Sequence, residues 1–331
     1  MNNFKKIGLS ALAGSLAAIT TAGAVEMGVS GSAKVTYKNG HTTEVNGNPF
    51  GMNTSLGFSG TGDVNGYATT LFVQTMDQFG GMTSGSLAVD LGDMGKITFD
   101  QGTGAGGIST IDDKTPSANE EVWDGLDAVT GDSNGLVGGG NGGAFVYANS
   151  YGDTAFTGQL TKGASNNASD DATSGEGSTG TSWDFALTNA SLAEGMNAGV
   201  GYGQISTAMT SGQNADNESE HMTAFVTYSV GMVTAGAQMS WVEDASAGGD
   251  SEEATGWGLA VNLMDGLSVS YGEREIEHQK HNLTTEDQEG IAVAYTMGAA
   301  KITFQNNETS ANGGTAGTND EATEIALSLS F

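Results

Sequence analysis

The amino-acid sequence predicts an all-β fold, a transmembrane antiparallel β-barrel of about 16 strands. Three observations point there. The chain ends on Glu324-Ile325-Ala326-Leu327-Ser328-Leu329-Ser330-Phe331, with Ile325, Leu327, Leu329 and Phe331 on one face and Glu324, Ala326, Ser328 and Ser330 on the other. That is a strand with one apolar and one polar side. In water it would be an exposed edge; in a closed sheet with lipid outside and water inside it is satisfied on both faces. The same alternation recurs along the chain, and short turns alternate with long polar loops, the asymmetry a membrane barrel needs at its two rims. Finally, 53 glycines stand against two prolines. That balance suits long paired strands with tight turns, because proline removes ladder donors and glycine permits positive φ.

The first residues read as an export signal. Lys5 and Lys6 precede a short apolar stretch (residues 7–18), and Ala22-Gly23-Ala24 forms an A-x-A cleavage site. The expected organisation is a signal peptide at residues 1–24 and a single barrel domain at residues 25–331. The apolar run is too short for a spanning helix, and no later segment is long and apolar enough to be one. The chain has no cysteine, which excludes disulfides and thiolate chemistry. Charged residues are 15% of the chain, yet the net charge is −29. Nucleic-acid phosphates would be repelled by that charge and cations attracted.

Taken in order, the first strand is read at residues 25–37, where Met27, Val29, Ala33, Val35 and Tyr37 oppose Glu26, Ser30, Ser32, Lys34 and Thr36. Seven hairpins follow: residues 52–61 with 67–74, 85–91 with 96–101, 143–149 with 154–160, 182–189 with 197–205, 221–228 with 232–242, 254–262 with 267–277, and 289–295 with 299–306. Their tips carry turn residues, such as Gly62-Asp63-Val64-Asn65-Gly66 and Gly92-Asp93-Met94-Gly95. Residues 321–331 close the series. The pattern leaves the parity of residues 221–228 open. Tyr37, Phe58, Tyr67, Trp183, Trp257, Tyr271, Tyr295 and Phe331 fall on the outward parity near strand ends, where interfacial aromatic girdles belong.

With the signal, the hairpin rhythm, the stretch Leu56-Gly57-Phe58-Ser59-Gly60, residues 87–101 and the terminal Phe331 in view, the chain resembles the sixteen-stranded general porins of Gram-negative outer membranes, nearest to the alphaproteobacterial type. The resemblance spans the whole chain. It implies passive diffusion of ions and small hydrophilic solutes without catalysis, a homotrimer in outer-membrane lipid and lipopolysaccharide, and a C-terminal aromatic, Phe331, read by the outer-membrane assembly machinery. It also implies that the third long loop, here called L3 (residues 102–142), folds into the lumen as the constriction.

L3 carries Asp112, Asp113, Glu120, Glu121, Asp124, Asp127 and Asp132 against Lys114 alone. Carboxylates crowded into a narrow passage attract cations and reject anions. For the opposite wall, parity places Lys34, Lys38, Lys96, Arg274 and Lys301 on the inward face, and a basic side chain facing lipid at mid-depth would cost about 2–4 kcal/mol. The familiar porins set an arginine cluster against the loop acids, whereas this chain has Arg274 alone. The expected consequence is a more uniformly negative, cation-preferring pore.

Other motifs carry less. Glu273, Glu275 and Glu277 share the outward parity of Tyr271 and read as a rim above the membrane belt, where divalent ions could bridge to lipopolysaccharide. Gly102, Gly104 and Gly107 match G-x-G-x-x-G, but no helix or βαβ unit follows and the acidic loop would repel pyrophosphate. His41, His221, His278 and His281 form no zinc pattern, so no metal site is expected. No cofactor is expected either, with Ca2+ at the acidic loops as the one ion the composition admits. The competing reading is a secreted calcium-binding structural or surface-layer β-protein, which would share the export signal, the acidity and the glycine content. It would need neither Phe331 nor the alternation of turn lengths.

Overall fold

The computed structural model describes residues 25–40, 48–76, 82–104, 106–126, 143–162, 179–207, 218–244 and 251–331. The expected signal peptide, Asp127 and Asp132 lie outside the described residues.

The described residues form sixteen strands: β1 (Glu26–Gly40), β2 (Phe50–Val64), β3 (Tyr67–Met76), β4 (Met82–Asp90), β5 (Lys96–Gln101), β6 (Ala144–Tyr151), β7 (Thr154–Lys162), β8 (Thr179–Asn189), β9 (Met196–Thr207), β10 (Glu218–Val230), β11 (Val233–Glu243), β12 (Glu252–Met264), β13 (Leu267–His278), β14 (Glu286–Met297), β15 (Ala300–Ser310) and β16 (Asp320–Ser330). Each pairs antiparallel with its neighbours in sequence, and β1 pairs with β16 to close the barrel. Closure leaves no edge, so every strand satisfies its backbone groups on both sides. Several strands run further than the alternation of apolar residues suggests; β8 begins at Thr179 and β10 at Glu218. Backbone pairing does not stop where the apolar side chains stop, so polar residues extend the ladder beyond the apolar belt.

Parity sorts the side chains as a barrel demands. Val29, Val35, Leu71, Leu160, Val200 and Leu327 stand exposed on the outer surface, as do the eight girdle aromatics from Tyr37 to Phe331. Thr98, Thr223, Gln238, Gln288, Gln305 and Thr309 point inward and are buried. Across the closing seam, Val35 pairs with Leu327 on the outward side, and Lys34 with Ser328 and Lys38 with Glu324 on the inward side. Phe331 extends the seam by one residue. Its amide donates to Gly31 O (2.9 Å) and its carbonyl accepts from Gly31 N–H (2.7 Å).

The tight turns follow local chemistry. Between β2 and β3, Asn65 (φ 56°) and Gly66 (φ 88°) both take positive φ, as a two-residue hairpin turn with the right twist requires. Asp63 Oδ1 accepts the Gly66 N–H at 2.9 Å and fixes the turn.

The open parity of β10 is resolved by packing. His221, Thr223 and Phe225 face inward and are buried, while Met222, Val226 and Tyr228 face outward. Phe225 turns toward the lumen because L3 supplies apolar partners there. It clusters with Ala186 of β8 and with Ile108 and Ile111 of the loop.

Candidate pore constriction

L3 enters the barrel through a 3-10 turn, Gly107–Ile111. Ile108 and Ile111 are each 1% exposed, and they lie over Gly201 of β9, where a Cβ would come within 2.6 Å of Ile108 Cγ1. The Ile108 N–H donates to Asp184 Oδ1 (2.6 Å), and Gln159 Nε2 donates to the other oxygen of that carboxylate (2.9 Å). A buried carboxylate is tolerable when donors surround it, and here the loop supplies one of them.

From there the loop crosses the inner wall on a row of glycines. Gly236 of β11, Gly258 of β12, Gly272 of β13 and Gly290 of β14 stand directly opposite one another in the sheet register and all face inward. Pro116 presses against Gly236 and Gly258, and Val122 against Gly272 and Gly290. A wall without side chains lets the loop backbone approach the sheet backbone.

Wall side chains flanking this row hold the loop. Gln238 Oε1 accepts the Lys114 N–H (2.6 Å), while its amide donates to Ile111 O (2.7 Å) and Asp112 O (3.1 Å). Ser270 Oγ accepts the Ala118 N–H at 2.8 Å. Gln305 Nε2 donates to Glu121 O (2.6 Å), and Asn307 Nδ2 donates to Glu121 O (3.0 Å) and Asp124 O (2.8 Å). Each such bond contributes about 0.5–1.5 kcal/mol net. Together they fix the described part of L3 inside the barrel.

The loop acids face the wall in two groups. Glu120 and Asp124 lie within electrostatic reach of Lys34; Lys301 also acts on Glu120, and Lys38 and Glu324 act on Asp124. Lys34 Nζ itself stands 2.7 Å from Glu324 Oε1, so the wall neutralises part of its own positive charge. Lys301 Nζ donates to Asn119 Oδ1 at 3.1 Å. Asp112, Asp113 and Glu121 form the second group, with Lys114 as the nearest loop base. Burial raises the carboxyls of Asp112, Glu120 and Asp124 above their usual range, and neighbouring acids add to the effect. Asp113 is pushed up to about 8, first by burial and then by a hydrogen bond to Glu121 and that residue's charge. A carboxyl pair in hydrogen-bond contact holds a proton between its members.

The wall bases named from parity do not act as one group. Lys34, Lys38 and Lys301 face the acids of L3. Lys96, at the start of β5, is exposed beside Lys114 and Ile111 in a cleft of about 480 Å3. Arg274 faces inward but is 5% exposed, because Trp123 of L3 covers it with its ring centroid 4.2 Å from the guanidinium carbon. Its charge is therefore not open to the lumen.

The expectations from sequence do not include Glu324 as a wall acid, the amides Gln238, Gln305 and Asn307, Trp123, or the glycine row. The signal for the amides was available: each lies at inward parity on a strand where a smaller hydroxyl residue would serve. The glycine row required knowledge of register.

On the outer face, Glu273, Glu289, Glu308 and Glu321 stand in register across β13 to β16. Tyr271 Oη lies 2.7 Å from Glu273 Oε1 and 2.6 Å from Glu289 Oε2. Glu275 and Glu277 share this outward side. Among the described residues, no group of three or more His, Asp or Glu side chains is arranged to hold a metal ion.

Closed sixteen-stranded barrels with this architecture are found among solved outer-membrane proteins. A loop-deletion variant of OmpT, an outer membrane protein of Vibrio cholerae, superposes with a TM-score of 0.63 at 13% identity, covering 93% of this chain and 99% of that one. A porin refined at 1.8 Å resolution gives a TM-score of 0.63 at 13% identity, covering 92% and 100%. A mutant of Rh. blastica porin gives 0.58 at 10% identity, with 92% and 100% covered. The chain matches no known family model, and no curated protein resembles it in sequence. The shared property is the fold, a porin-like antiparallel barrel.

Proposed function

We propose that this protein is an outer-membrane porin of a Gram-negative bacterium, a passive diffusion channel for ions and small hydrophilic solutes that prefers cations. The observation that carries the reading is the placement of L3: an acid-bearing loop lies inside a closed barrel whose outer face is apolar and whose inner face is polar. Such an exterior is stable against lipid, and such an interior holds water. Glu120 and Asp124 project toward a wall whose central base, Lys34, is already paired with Glu324. With Glu121, which acts on both of these loop acids, the passage between loop and wall carries four carboxylates, Glu120, Glu121, Asp124 and Glu324, against three bases, Lys34, Lys38 and Lys301, and cations are concentrated there. A homotrimer in outer-membrane lipid, with Phe331 recognised during assembly, completes the proposal.

The test is a reversal-potential measurement across a planar bilayer under a KCl gradient. K+ should permeate in preference to Cl−, and more so at low ionic strength, where screening is weaker. A variant carrying D112N, E120Q, E121Q and D124N should lose most of that preference. Anion preference in the unmodified protein would overturn the reading.

A further inference from the structure

Arg274 is the one arginine of the chain, and it is buried. A guanidinium out of water needs partners, and these come from two directions. On the wall side, Gln288 Oε1 accepts from Nη1 at 3.5 Å. Behind it stands Glu286, 4% exposed, which accepts from Gln288 Nε2 (2.7 Å), Thr309 Oγ1 (3.1 Å) and the Gly313 N–H (2.8 Å). On the loop side, Trp123 lies over the guanidinium, and Asp113 and Glu121 act on it together with Glu252 and Glu286 of the wall. Wall and loop therefore each bring carboxylates to a region that would repel itself if the cation were absent.

We propose that Arg274 is a positioning residue for the constriction: it latches L3 to the wall through the face of Trp123 and through the Asp113–Glu121 pair. Gln288, itself bonded to Glu286, holds Arg274 from the wall. Lysine is the weaker substitute, because a compact ammonium lacks the planar face that stacks on indole and the rigid fork of donors. The latch concerns loop position, and only its electrical consequence rests on the channel reading.

Hydrogen exchange followed by mass spectrometry on the full-length purified protein reads loop docking directly. In R274M and W123A, amides of residues 112–126 should exchange about tenfold faster, with the strands unchanged. W123F, which keeps an aromatic face, should exchange like the unmodified protein, and R274K should exchange fast. Heat-modifiable gel migration verifies that each barrel is folded. If R274M fails to assemble, W123A decides, since it alters the loop and leaves the wall network whole. In bilayers, the fast-exchanging variants should show more frequent closures. Unchanged exchange at residues 112–126 in folded W123A overturns the latch. Faster exchange in a protein that carries no current sustains the latch and overturns the channel.

Discussion

The glycine row invites a direct perturbation, G258A. A Cβ on Gly258 would sit 2.5 Å from Pro116 O, 3.1 Å from Pro116 N and 3.3 Å from Pro116 C. All three are backbone atoms, so no rotamer change relieves the clash, and L3 must lift by about 0.9 Å to restore ordinary contact at 3.4 Å. On either side of Pro116, the loop amides of Lys114 and Ala118 are bonded to Gln238 and Ser270 at 2.6 and 2.8 Å. A lift of that size stretches both toward the limit of a hydrogen bond. Overpacking of this kind costs about 1–3 kcal/mol, against roughly 0.5–1 kcal/mol that alanine returns by restricting the unfolded chain. The loss falls on loop docking, because the strand ladder around Gly258 is untouched. Single-channel conductance and exchange at residues 112–126 should both change while the barrel melts as before. G256A is the control on the same strand and face, since its Cβ would meet Thr115 Cγ2 at 3.4 Å, Glu273 O at 3.5 Å and Arg274 Cβ at 3.7 Å, all ordinary contacts. If G258A and G256A behave alike, the bare wall is not what seats the loop.

Two further outcomes follow from the same geometry. Asp113 is held protonated up to about pH 8 by burial and by Glu121, against 3.8 in the open chain. The docked loop thus binds more protons than a released one, so docking weakens as pH rises from about 4 to about 8 and is level above that. Loop charge grows more negative over the upper part of this window, and the K+/Cl− permeability ratio should rise between about pH 6 and 9. D113N should flatten that profile, and a profile unaltered by D113N would refute the assignment. Deleting Phe331 removes two backbone bonds at the seam and the ring that covers Gly31. The yield of heat-modifiable folded protein should fall severalfold, each lost bond being worth about 1 kcal/mol.

Much of the barrel was legible because alternation is a local property. Ile325, Leu327 and Leu329 show their outward face with no knowledge of any neighbour, and the inward parity of Lys34 follows from the same count of two. The acidity of L3 was legible for the same reason. Phe225 was not, since an aromatic at inward parity makes sense only once Ile108 and Ile111 are known to sit beneath it. Arg274 read as a lumenal base from its parity, yet its exposure depends on Trp123, which lies about 150 residues earlier in the chain.

Sixteen alternating segments, their two faces, and the concentration of carboxylates in one long loop are written in the order of the residues. Which carboxylates meet which bases, the pairing of Lys34 with Glu324, and the alignment of four glycines from four strands as a seat for Pro116 and Val122 emerge with the folded barrel. The reason is physical. Alternation is written residue by residue in each strand's own pleat, whereas register and loop docking arise from contacts between segments far apart in the chain.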